Sequence, residues 1–369
     1  MWYYIFFDLL KGEFKAIEFT KYITVRGGLA FFTSFMISVL FGPVLINMLR
    51  RCQFIEDVSK NRAQDLLEKS EEKKNTPTMG GIVIFFSFLM SLLIWARLDN
   101  SYVLWAILSI FGFGLVGFLD DLFKAMTLED GITPRVKTVL MLIISVSLSF
   151  ALWKTVRHDP KLLYLYFPFF ENLKLDLSIG GGIFFILFAT IVIVGSSNSV
   201  NLTDGLDGLA IGCTIIVSTA FSVIAYIVGR MDYAKYLSVP YIEGSGELSI
   251  CCLALVGAGL GFLWFNCYPA HVFMGDCGSL MLGGFLGYIA VALRQELLLF
   301  ILGGIFVMEA LSVIIQVFVY KMTRKRVFRI APIHHHFVIV WGNETKVTIR
   351  FWILGIVFAL FAILTLRLR

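Results

Sequence analysis

The sequence predicts an all-α polytopic membrane protein with about ten transmembrane helices, and three observations support this fold class. Hydrophobic residues make up 58% of the chain and charged residues 15%, with a mean hydropathy of +0.84. The apolar runs reach the roughly 20 residues that a helix needs to cross a bilayer. No soluble domain or low-complexity tract interrupts the succession of runs. We therefore expect one integral membrane domain over residues 1–369.

The expected spans follow the apolar runs in order. They lie at approximately 25–49, 79–97, 102–119, 135–153, 180–197, 208–228, 247–264, 279–293, 297–320 and 347–367. Pro77, Gly80 and Gly81 give the second span a tight entry with few side chains. Glycines interrupt the seventh and eighth spans. Gly303 and Gly304 in the ninth predict either a bend that opens a groove toward the bilayer or tight helix packing.

The number of spans and the charge of the loops predict the orientation. An even number of spans places both termini on one side of the membrane. The first and last long loops contain most of the clustered basic residues: Arg50, Arg51, Lys60, Arg62, Lys69, Lys73, Lys74, Lys321, Arg324, Lys325, Arg326 and Arg329. The positive-inside rule makes these loops cytoplasmic and puts both termini outside, on the periplasmic side. The bias is modest, because the opposite loops also contain lysine and arginine.

The unusual polar motifs all fall on one predicted face. With the amino terminus outside, the cytoplasmic loops are 50–78, 120–134, 198–207, 265–278 and 321–346. The opposite loops hold scattered charges and aromatic residues but no comparable motif. Motifs that merely reflected loop composition would have divided between the two faces. The sequence therefore predicts one active site, facing the cytoplasm.

Aspartates at the ends of three apolar runs are the candidate chemical groups. Asp120 and Asp121 end the third run, Asp204 and Asp207 follow the fifth, and Asp276 precedes the eighth. Carboxylates are costly beside hydrocarbon, so in a membrane protein they indicate a functional site. Mg²⁺ binds a few carboxylates and completes its shell with water and phosphate oxygens, which suits such a cluster.

Asp120 and Asp121 cannot both point at one atom on a continuing helix, because adjacent residues project about 100° apart. Lys124 follows Asp120 by four residues and is its expected partner. A solvated carboxylate pair at a helix end is the alternative interpretation.

The segment after the fifth span combines amides, carboxylates and glycines. Asn201, Asp204 and Asp207 are three residues apart and share one face if the segment is helical. The spacing and the missing distal glutamate do not fit a calcium loop. Farther on, Asn266 begins a segment in which Phe273 precedes the Gly-Asp pair. Phe273 is either a core residue or a ring that stacks on a nucleobase.

Basic and histidine motifs complete the pattern. Lys73 and Lys74 precede the second span, where they either meet an anion or extend toward lipid headgroups. His334, His335 and His336 are consecutive, so their side chains diverge and are poorly placed to chelate one metal. Imidazoles that bind phosphate or sugar are the favoured interpretation. The net charge of +5 suits membrane lipid and gives no reason to expect nucleic acid.

Five motifs, in order along nearly the whole chain, resemble the phospho-N-acetylmuramoyl-pentapeptide transferases of the polyprenyl-phosphate N-acetylhexosamine-1-phosphate transferase family. They are Thr-Pro-Thr-Met-Gly-Gly (76–81), Phe-Leu-Asp-Asp (118–121), Asn-Leu-Thr-Asp-Gly-Leu-Asp-Gly-Leu-Ala (201–210), Phe-Met-Gly-Asp-Cys-Gly-Ser (273–279) and Pro-Ile-His-His-His-Phe (332–337). One departure is visible, because Val338 stands where the family usually has glutamate. That difference concerns the local loop contacts and not the reaction.

The resemblance implies transfer of phospho-MurNAc-pentapeptide from UDP-MurNAc-pentapeptide to undecaprenyl phosphate, giving lipid I and UMP at the cytoplasmic face of the bacterial inner membrane. It implies a Mg²⁺ cofactor with Asp276 as ligand, and Asp120 and Asp121 as further catalytic carboxylates. The implied substrate-binding residues are Lys73, Lys74, Asn201, Asp204, Asp207, Asn266, Phe273, which matches a residue placed against uracil, and His334, His335 and His336. Whether the protein is a homodimer stays open.

Two other functions compete with this one. A sibling transferase would use UDP-GlcNAc as donor. A secondary transporter would also carry intramembrane acids and broken helices, but its polar groups are expected near the bilayer midplane rather than at one surface. Within the transferase hypothesis, direct attack by the lipid phosphate is favoured, and a two-step route through an aspartyl-phosphate stays open.

Overall fold

The computed structural model of the protein describes residues 20–52, 76–127, 131–170 and 173–367. Lys73 and Lys74 lie outside these described residues. The helices are α1 (Ile23–Arg51), α2 (Gly81–Trp95), α3 (Ser101–Thr127), α4 (Pro134–Val156), α5 (Ile183–Thr203), α6 (Leu209–Val228), α7 (Met231–Tyr236), α8 (Glu247–Asn266), α9 (Gly275–Ala292), α10 (Glu296–Leu302), α11 (Gly304–Thr323), α12 (Ile333–Trp341) and α13 (Glu344–Thr365). Strands β1 (Tyr164–Tyr166) and β2 (Lys174–Asp176) form an antiparallel pair.

The predicted membrane fold is confirmed. Within the described part of the chain, nine helices are long and apolar enough to cross a membrane, and α2, with 15 residues, is a shorter apolar helix that accounts for the tenth span. The glycine-rich seventh and eighth spans are the continuous helices α8 and α9. Their most apolar stretches are 72% and 89% buried, so these two helices form the centre of the bundle.

Helix α9 packs between α3 and α5, while α8 packs against α1 and α6. A buried ion pair joins α1 to the start of α8, because the Arg26 guanidinium donates to both carboxylate oxygens of Glu247 at 2.8 and 2.6 Å. The same guanidinium donates to the carbonyl of Trp95 at the end of α2. A buried charge needs such complete pairing. This contact fixes three helices at the end where α1 begins.

The ninth predicted span is two helices rather than one. Helix α10 ends at Leu302, and α11 begins at Gly304, with Gly303 between them in a conformation outside the α-helical range. A Cβ on Gly304 would lie 2.7 Å from the Phe358 ring, so this glycine also permits close packing. The glycine pair therefore marks a break between two helices and also permits close packing. Beyond the break, only 22% of the apolar stretch of α11 is buried.

Several predicted loops are shorter than the sequence indicated. Helix α3 continues to Thr127, so Asp120 and Asp121 lie within a helix and not in a loop that begins at 120. Helix α5 likewise continues to Thr203 and includes Asn201. These helices extend past the apolar runs because their last turns are held by tertiary contacts, which polarity alone does not reveal.

Three elements had no counterpart in the sequence analysis, and one of them is the six-residue helix α7 between α6 and α8. Strands β1 and β2 form a hairpin in the connection between α4 and α5, with Leu165 paired to Leu175. Helix α12 occupies the middle of the last long loop and carries the three histidines. Short elements of this kind have too few residues to give a clear periodic pattern.

Candidate active site

Asp276 is the point at which α3, α4, α5 and α9 meet. It lies in the first turn of α9. Its Oδ2 accepts from the Nζ of Lys124 on α3 at 2.8 Å and from the Nζ of Lys137 on α4 at 2.6 Å. Its Oδ1 accepts from the Nδ2 of Asn201 on α5 at 2.5 Å. The side chain is 15% exposed, so the carboxylate faces a nearly closed polar centre at one end of the bundle.

Asn201 is held by a second contact from the same helix as Asp276. Its Nδ2 also approaches the Ser279 Oγ at 2.9 Å, and that hydroxyl donates to the carbonyl of Gly275. One amide therefore connects the end of α5 to the first turn of α9. This contact orients the Asp276 side chain by fixing one of its oxygens.

Asp120 shares the two lysines with Asp276. Its Oδ2 lies 2.9 Å from the Lys124 Nζ, as the four-residue spacing predicted, and 3.2 Å from the Lys137 Nζ. Its Oδ1 accepts from the backbone N–H of Ile132 at 2.8 Å, in the segment that leads into α4. The interpretation of Asp120 as part of a solvated surface pair does not hold, because the residue is 2% exposed.

Asp121 faces the backbone of α9, and its Oδ1 also lies 4.0 Å from the Lys124 Nζ. Its Oδ1 accepts from the N–H of Asp276 at 3.1 Å, and its Oδ2 accepts from the N–H of Cys277 at 2.9 Å. The first N–H groups of a helix have no intrahelical partner, and a carboxylate there also interacts favourably with the helix dipole. Asp121 thus holds the start of α9 in place, so the two adjacent aspartates have different surroundings.

Close backbone approach makes this arrangement possible. A Cβ on Gly117 of α3 would overlap the carbonyl oxygen of Asp276, and a Cβ on Gly81 of α2 would overlap the backbone of Gly278. Gly275 adopts a φ of +72°, which favours glycine. The glycines of three separate motifs therefore bring α2, α3 and the start of α9 together.

The segment before α2 pairs with the segment before α9. The N–H of Phe273 donates to the carbonyl of Pro77 at 2.8 Å, and the N–H of Gly80 donates back to the carbonyl of Phe273 at 2.8 Å. The N–H of Gly81 donates to the carbonyl of Met274. These bonds fix the backbone of Phe273 beside the aspartates. Phe273 itself is half-buried.

Asn266 and Asp207 connect two motif segments by backbone contacts. The Asn266 Oδ1 accepts from the N–H of Gly208 at 3.1 Å, and its Nδ2 donates to the carbonyl of Val272 at 2.8 Å. The Asp207 Oδ2 accepts from the N–H of Ala270 at 3.2 Å. Both side chains are buried. Asn266 stays a predicted substrate-binding residue, and its amide also holds this loop at both ends.

Asp204 and Asp207 do not share a helical face with Asn201. Helix α5 ends at Thr203, Asp204 follows it as the capping residue, and Gly208 turns the chain with a φ of +74°. The expectation that depended on a helix through 207 is therefore wrong. The two glycines of the motif make this sharp turn possible, and Asp204 stays half-exposed at the end of the bundle.

The three histidines lie on α12 and have unequal environments. His334 is fully buried, and its Nδ1 lies 3.1 Å from the Oε2 of Glu309 on α11. Its ring also packs against Gly205, where a Cβ would overlap the imidazole. His336 accepts from the N–H of Arg329 at its Nδ1, and His335 is half-buried. The three histidines therefore do not converge on one point. Their consecutive positions in the sequence predicted this divergence.

The carboxylates of Asp120, Asp121 and Asp276 form a cluster that could hold a metal ion. One oxygen from each lies within 4.8 Å of the others. An all-oxygen donor set of this kind fits a hard divalent cation. Both Asp121 oxygens accept backbone N–H groups, whereas Asp276 and the Oδ2 of Asp120 accept from side chains, which can move to make room for a cation.

Sequence reasoning missed three residues of this centre. Lys137 was not predicted. The available signal was a lysine at the start of an apolar run, on the same predicted face as the aspartates. Ser279 lies within a recognised motif but was not selected. Glu309 lies within the ninth predicted span, and its contact with His334 joins segments that are 25 residues apart.

The fold and this centre define a class: a multi-pass membrane protein with an aspartate, lysine and amide cluster at one end of the bundle. Residues 103–294 match the profile of Glycosyl transferase family 4, which covers α3 to the end of α9 and therefore most of the cluster. Residues 73–85 match phospho-N-acetylmuramoyl-pentapeptide-transferase signature 1.

A relative narrows the class. The phospho-N-acetylmuramoyl-pentapeptide-transferase of Oleidesulfovibrio alaskensis is 47% identical over 369 residues, which covers 99% of each chain. The chain belongs to the phospho-N-acetylmuramoyl-pentapeptide-transferase family.

Proposed function

We propose that this protein transfers phospho-MurNAc-pentapeptide from UDP-MurNAc-pentapeptide to undecaprenyl phosphate, with lipid I and UMP as products. The observation that carries the proposal is the cluster in which Asp120, Asp121 and Asp276 meet two lysines, in a chain 47% identical to a relative of that name. Phosphoryl transfer needs positioning and charge neutralisation more than covalent chemistry, and this cluster offers both.

Mg²⁺ is the proposed cofactor, held by Asp276 and Asp120. When bound, it would neutralise diphosphate charge and so favour departure of UMP. Lys124 and Lys137 lie within 3.2 Å of these carboxylates and supply positive charge beside the same place. Asp121 would keep the start of α9, and hence Asp276, in position.

In the proposed reaction an oxygen of the lipid phosphate attacks the β-phosphorus of the UDP-sugar. A new P–O bond forms, the P–O bond to UMP breaks, and its electron pair leaves with UMP. Asp120 would accept the last proton of the lipid phosphate or orient that group. The buried position of Asp120, with its Oδ1 already fixed by Ile132, supports a role in orientation as well as in proton transfer.

The donor would lie over the loops that the backbone contacts hold together. Phe273 would stack on uracil, and Asp204, which is half-exposed, would contact the nucleotide or sugar. Asp207, Asn266 and the histidine helix would support that surface, and Lys73 and Lys74 would add positive charge for the diphosphate.

The prenyl chain would follow α11. A groove of about 370 Å³ on this helix is lined by Val313, Ile314, Val317, Phe318 and Lys321. The groove is apolar along the helix and ends in a lysine, which suits a hydrocarbon chain with a phosphate at one end. The low burial of α11, with 22% of its apolar stretch buried, supports this role.

The proposed location is the bacterial inner membrane, with the aspartate cluster facing the cytoplasm, where a UDP-linked donor is available. The basic loops on that side support the orientation.

Transfer of label from a radiolabelled donor tests the donor and the reaction class together. We expect purified protein in detergent to move label from UDP-MurNAc-pentapeptide, and not from UDP-GlcNAc, into a lipid product that requires undecaprenyl phosphate. Transfer from UDP-GlcNAc would assign the chain to the sibling activity. Absence of any transfer by folded protein in detergent, where no gradient exists, would favour a transporter instead.

A further inference from the structure

A second polar pocket lies at the end of the bundle opposite the aspartate cluster. It has a volume of about 520 Å³ and lies between the β1–β2 hairpin and the segment around α7. Three lysines and three tyrosines line it: Lys161, Lys174, Lys235, Tyr164, Tyr166 and Tyr241. Neither the reaction nor the family comparison assigns this pocket a role.

The pocket is positively charged. Among the residues that the structure describes, none of its three lysines forms an ion pair with a carboxylate, and none of its lining residues is acidic. An aspartate lies within three residues of each lysine, but each of these aspartates has another partner. Asp159 accepts from the N–H of Lys161, Asp176 from the N–H of Ser178, and Asp232 pairs with Arg230 at 3.0 Å.

The pocket walls are attached to the lipid-facing helix α13. The ring of Phe169, in the hairpin connection, lies 5.9 Å from the ring of Phe361 near the end of α13. On the other wall, the Arg367 guanidinium lies 4.9 Å from the ring of Tyr236. Because α13 is a membrane span, both walls lie where that span leaves the bilayer.

The leucines on both sides of Lys174 in sequence, with Phe170 in the hairpin turn, form an exposed apolar border that is not part of the pocket lining. Phe170 is 62% exposed, and Leu173 and Leu175 are more than half exposed. Large apolar side chains next to lysine and tyrosine are typical of the membrane interface, where rings and stems contact lipid while polar ends reach the headgroups. A site for a small soluble anion would not need such a border.

We propose that this pocket binds the phosphate of an anionic phospholipid headgroup at the membrane surface opposite the aspartate cluster. The lysine ammoniums meet the phosphate as point charges, the hydroxyls of Tyr164 and Tyr241 donate hydrogen bonds, and the acyl chains lie along Phe170 and Leu173. The occupant is a lipid because the hairpin carries exposed apolar side chains as well as the lysines, at the place where α13 leaves the bilayer.

The test compares lipid binding by two charge-matched double variants of the full chain. Lys161→Gln/Lys235→Gln removes one lysine from each wall of the pocket. Lys154→Gln/Lys346→Gln removes two exposed lysines that do not line it. Native mass spectrometry of each protein in detergent, with phosphatidylglycerol or phosphatidylcholine added, gives the bound fraction and an apparent Kd.

We expect the pocket variant to lose affinity for phosphatidylglycerol by roughly thirty-fold, from the usual contribution of a basic residue near an anionic surface. The control variant and all phosphatidylcholine binding should stay unchanged. Equal affinities in both variants would overturn the proposal. Competition of inorganic phosphate with phosphatidylglycerol at similar concentrations would also overturn it, because the site would then bind soluble anions.

The variant Lys161→Arg/Lys235→Arg distinguishes loss of charge from loss of folding. This variant keeps the charge and should keep phosphatidylglycerol affinity within about threefold, since any basic side chain supplies the electrostatic part of binding. If the glutamine variant unfolds, the single variant Lys174→Gln takes its place in the same comparison, and unchanged affinity there would overturn the proposal.

Discussion

At the residue scale, the same residue type has different surroundings at neighbouring positions. Asp276 contacts two lysines and an amide, Asp120 shares the lysines, and Asp121 accepts two backbone N–H groups of α9 and lies 4.0 Å from one lysine. Three carboxylates beside two ammonium groups leave the cluster able to accept one more cation. These differences match the roles proposed for the three residues: metal ligand, group that orients the acceptor, and structural cap.

Asp276→Asn tests the proposed metal ligand. The amide oxygen can still accept from Asn201, so we expect folding to persist, while turnover falls by about 10²–10³-fold through loss of charge stabilisation in the transition state. Asp232→Asn, at the opposite end of the bundle, is the control and should keep normal turnover. UMP release by folded protein is the measurement, and near-normal release by Asp276→Asn would remove the assignment.

Asp120→Asn tests proton handling. If Asp120 takes the last proton of the lipid phosphate, the variant should bind the UDP-sugar but react slowly, and its deficit should shrink as pH rises and the phosphate ionises unaided. An Asp120 nucleophile predicts no recovery, because an amide cannot form the acyl-phosphate at any pH. A pH–rate profile distinguishes the two, and a flat residual rate excludes proton handling.

Asp121→Asn tests the adjacent aspartate and is compared with Asp120→Asn. Each carboxylate oxygen of Asp121 accepts one backbone N–H, whereas an asparagine side chain has a single oxygen. This variant should therefore lose one of the two hydrogen bonds, which lowers the melting temperature as well as the rate. Its rate should not recover at high pH. Recovery equal to that of Asp120→Asn would mean that the neighbours share the proton-handling role.

Phe273→Ala tests nucleotide stacking. Loss of a base–aromatic contact worth about 1–3 kcal/mol should raise KM for the UDP-sugar by roughly 5- to 150-fold, with a smaller effect on kcat. Phe300→Ala, an exposed ring on α10, is the control. A change in thermal stability without a change in KM would make Phe273 a packing residue.

At the element scale, the site depends on how closely α3 approaches the start of α9. Gly117→Ala should destabilise the protein by about 1–3 kcal/mol and reduce activity, because the new methyl group overlaps the Asp276 carbonyl. Gly114→Ala is the matched control on the same helix, since its methyl group would meet Met281 Sδ at an ordinary 3.6 Å. Thermal unfolding and UMP release of both variants give the comparison. Equal behaviour of the two would contradict the close approach.

The helices and strands also show which structural features the sequence could predict. Apolar run length depends on each segment alone, so all ten spans could be found. The helical ends at Asp120 and Asn201 and the break at Gly303 depend on tertiary contacts or on one residue's backbone. The two-stranded hairpin was missed because strands of three residues carry almost no pattern.

At the scale of the whole molecule, the alternating directions of the helices put the motif segments at one end. This arrangement explains why order along the sequence was informative about the site: each motif follows or precedes a span that ends on the same face. The particular partners were not predictable, because Lys137 and Asp276 are 139 residues apart and only folding brings them to 2.6 Å. The motifs identified most of the site but not its connections.

Orientation can be tested with the native thiols. Of the six cysteines, only Cys52 and Cys267 are exposed, and both lie at the end of the bundle that carries the aspartates. We expect a membrane-impermeant maleimide to label them in inside-out vesicles and not in intact spheroplasts. Glu243→Cys, in the connection before α8 and combined with Cys52→Ser and Cys267→Ser, should show the reverse and serves as the control. Labelling of the native thiols in spheroplasts would invert the proposed orientation.

The central claim is that the aspartate cluster transfers a phosphosugar to a lipid phosphate with the help of Mg²⁺. UMP release by the purified protein, with each component omitted in turn, tests it most directly. We predict release only when UDP-MurNAc-pentapeptide, undecaprenyl phosphate and Mg²⁺ are all present, with loss on chelation and restoration on adding Mg²⁺ back. Undiminished UMP release without the lipid phosphate or in excess chelator would contradict the claim.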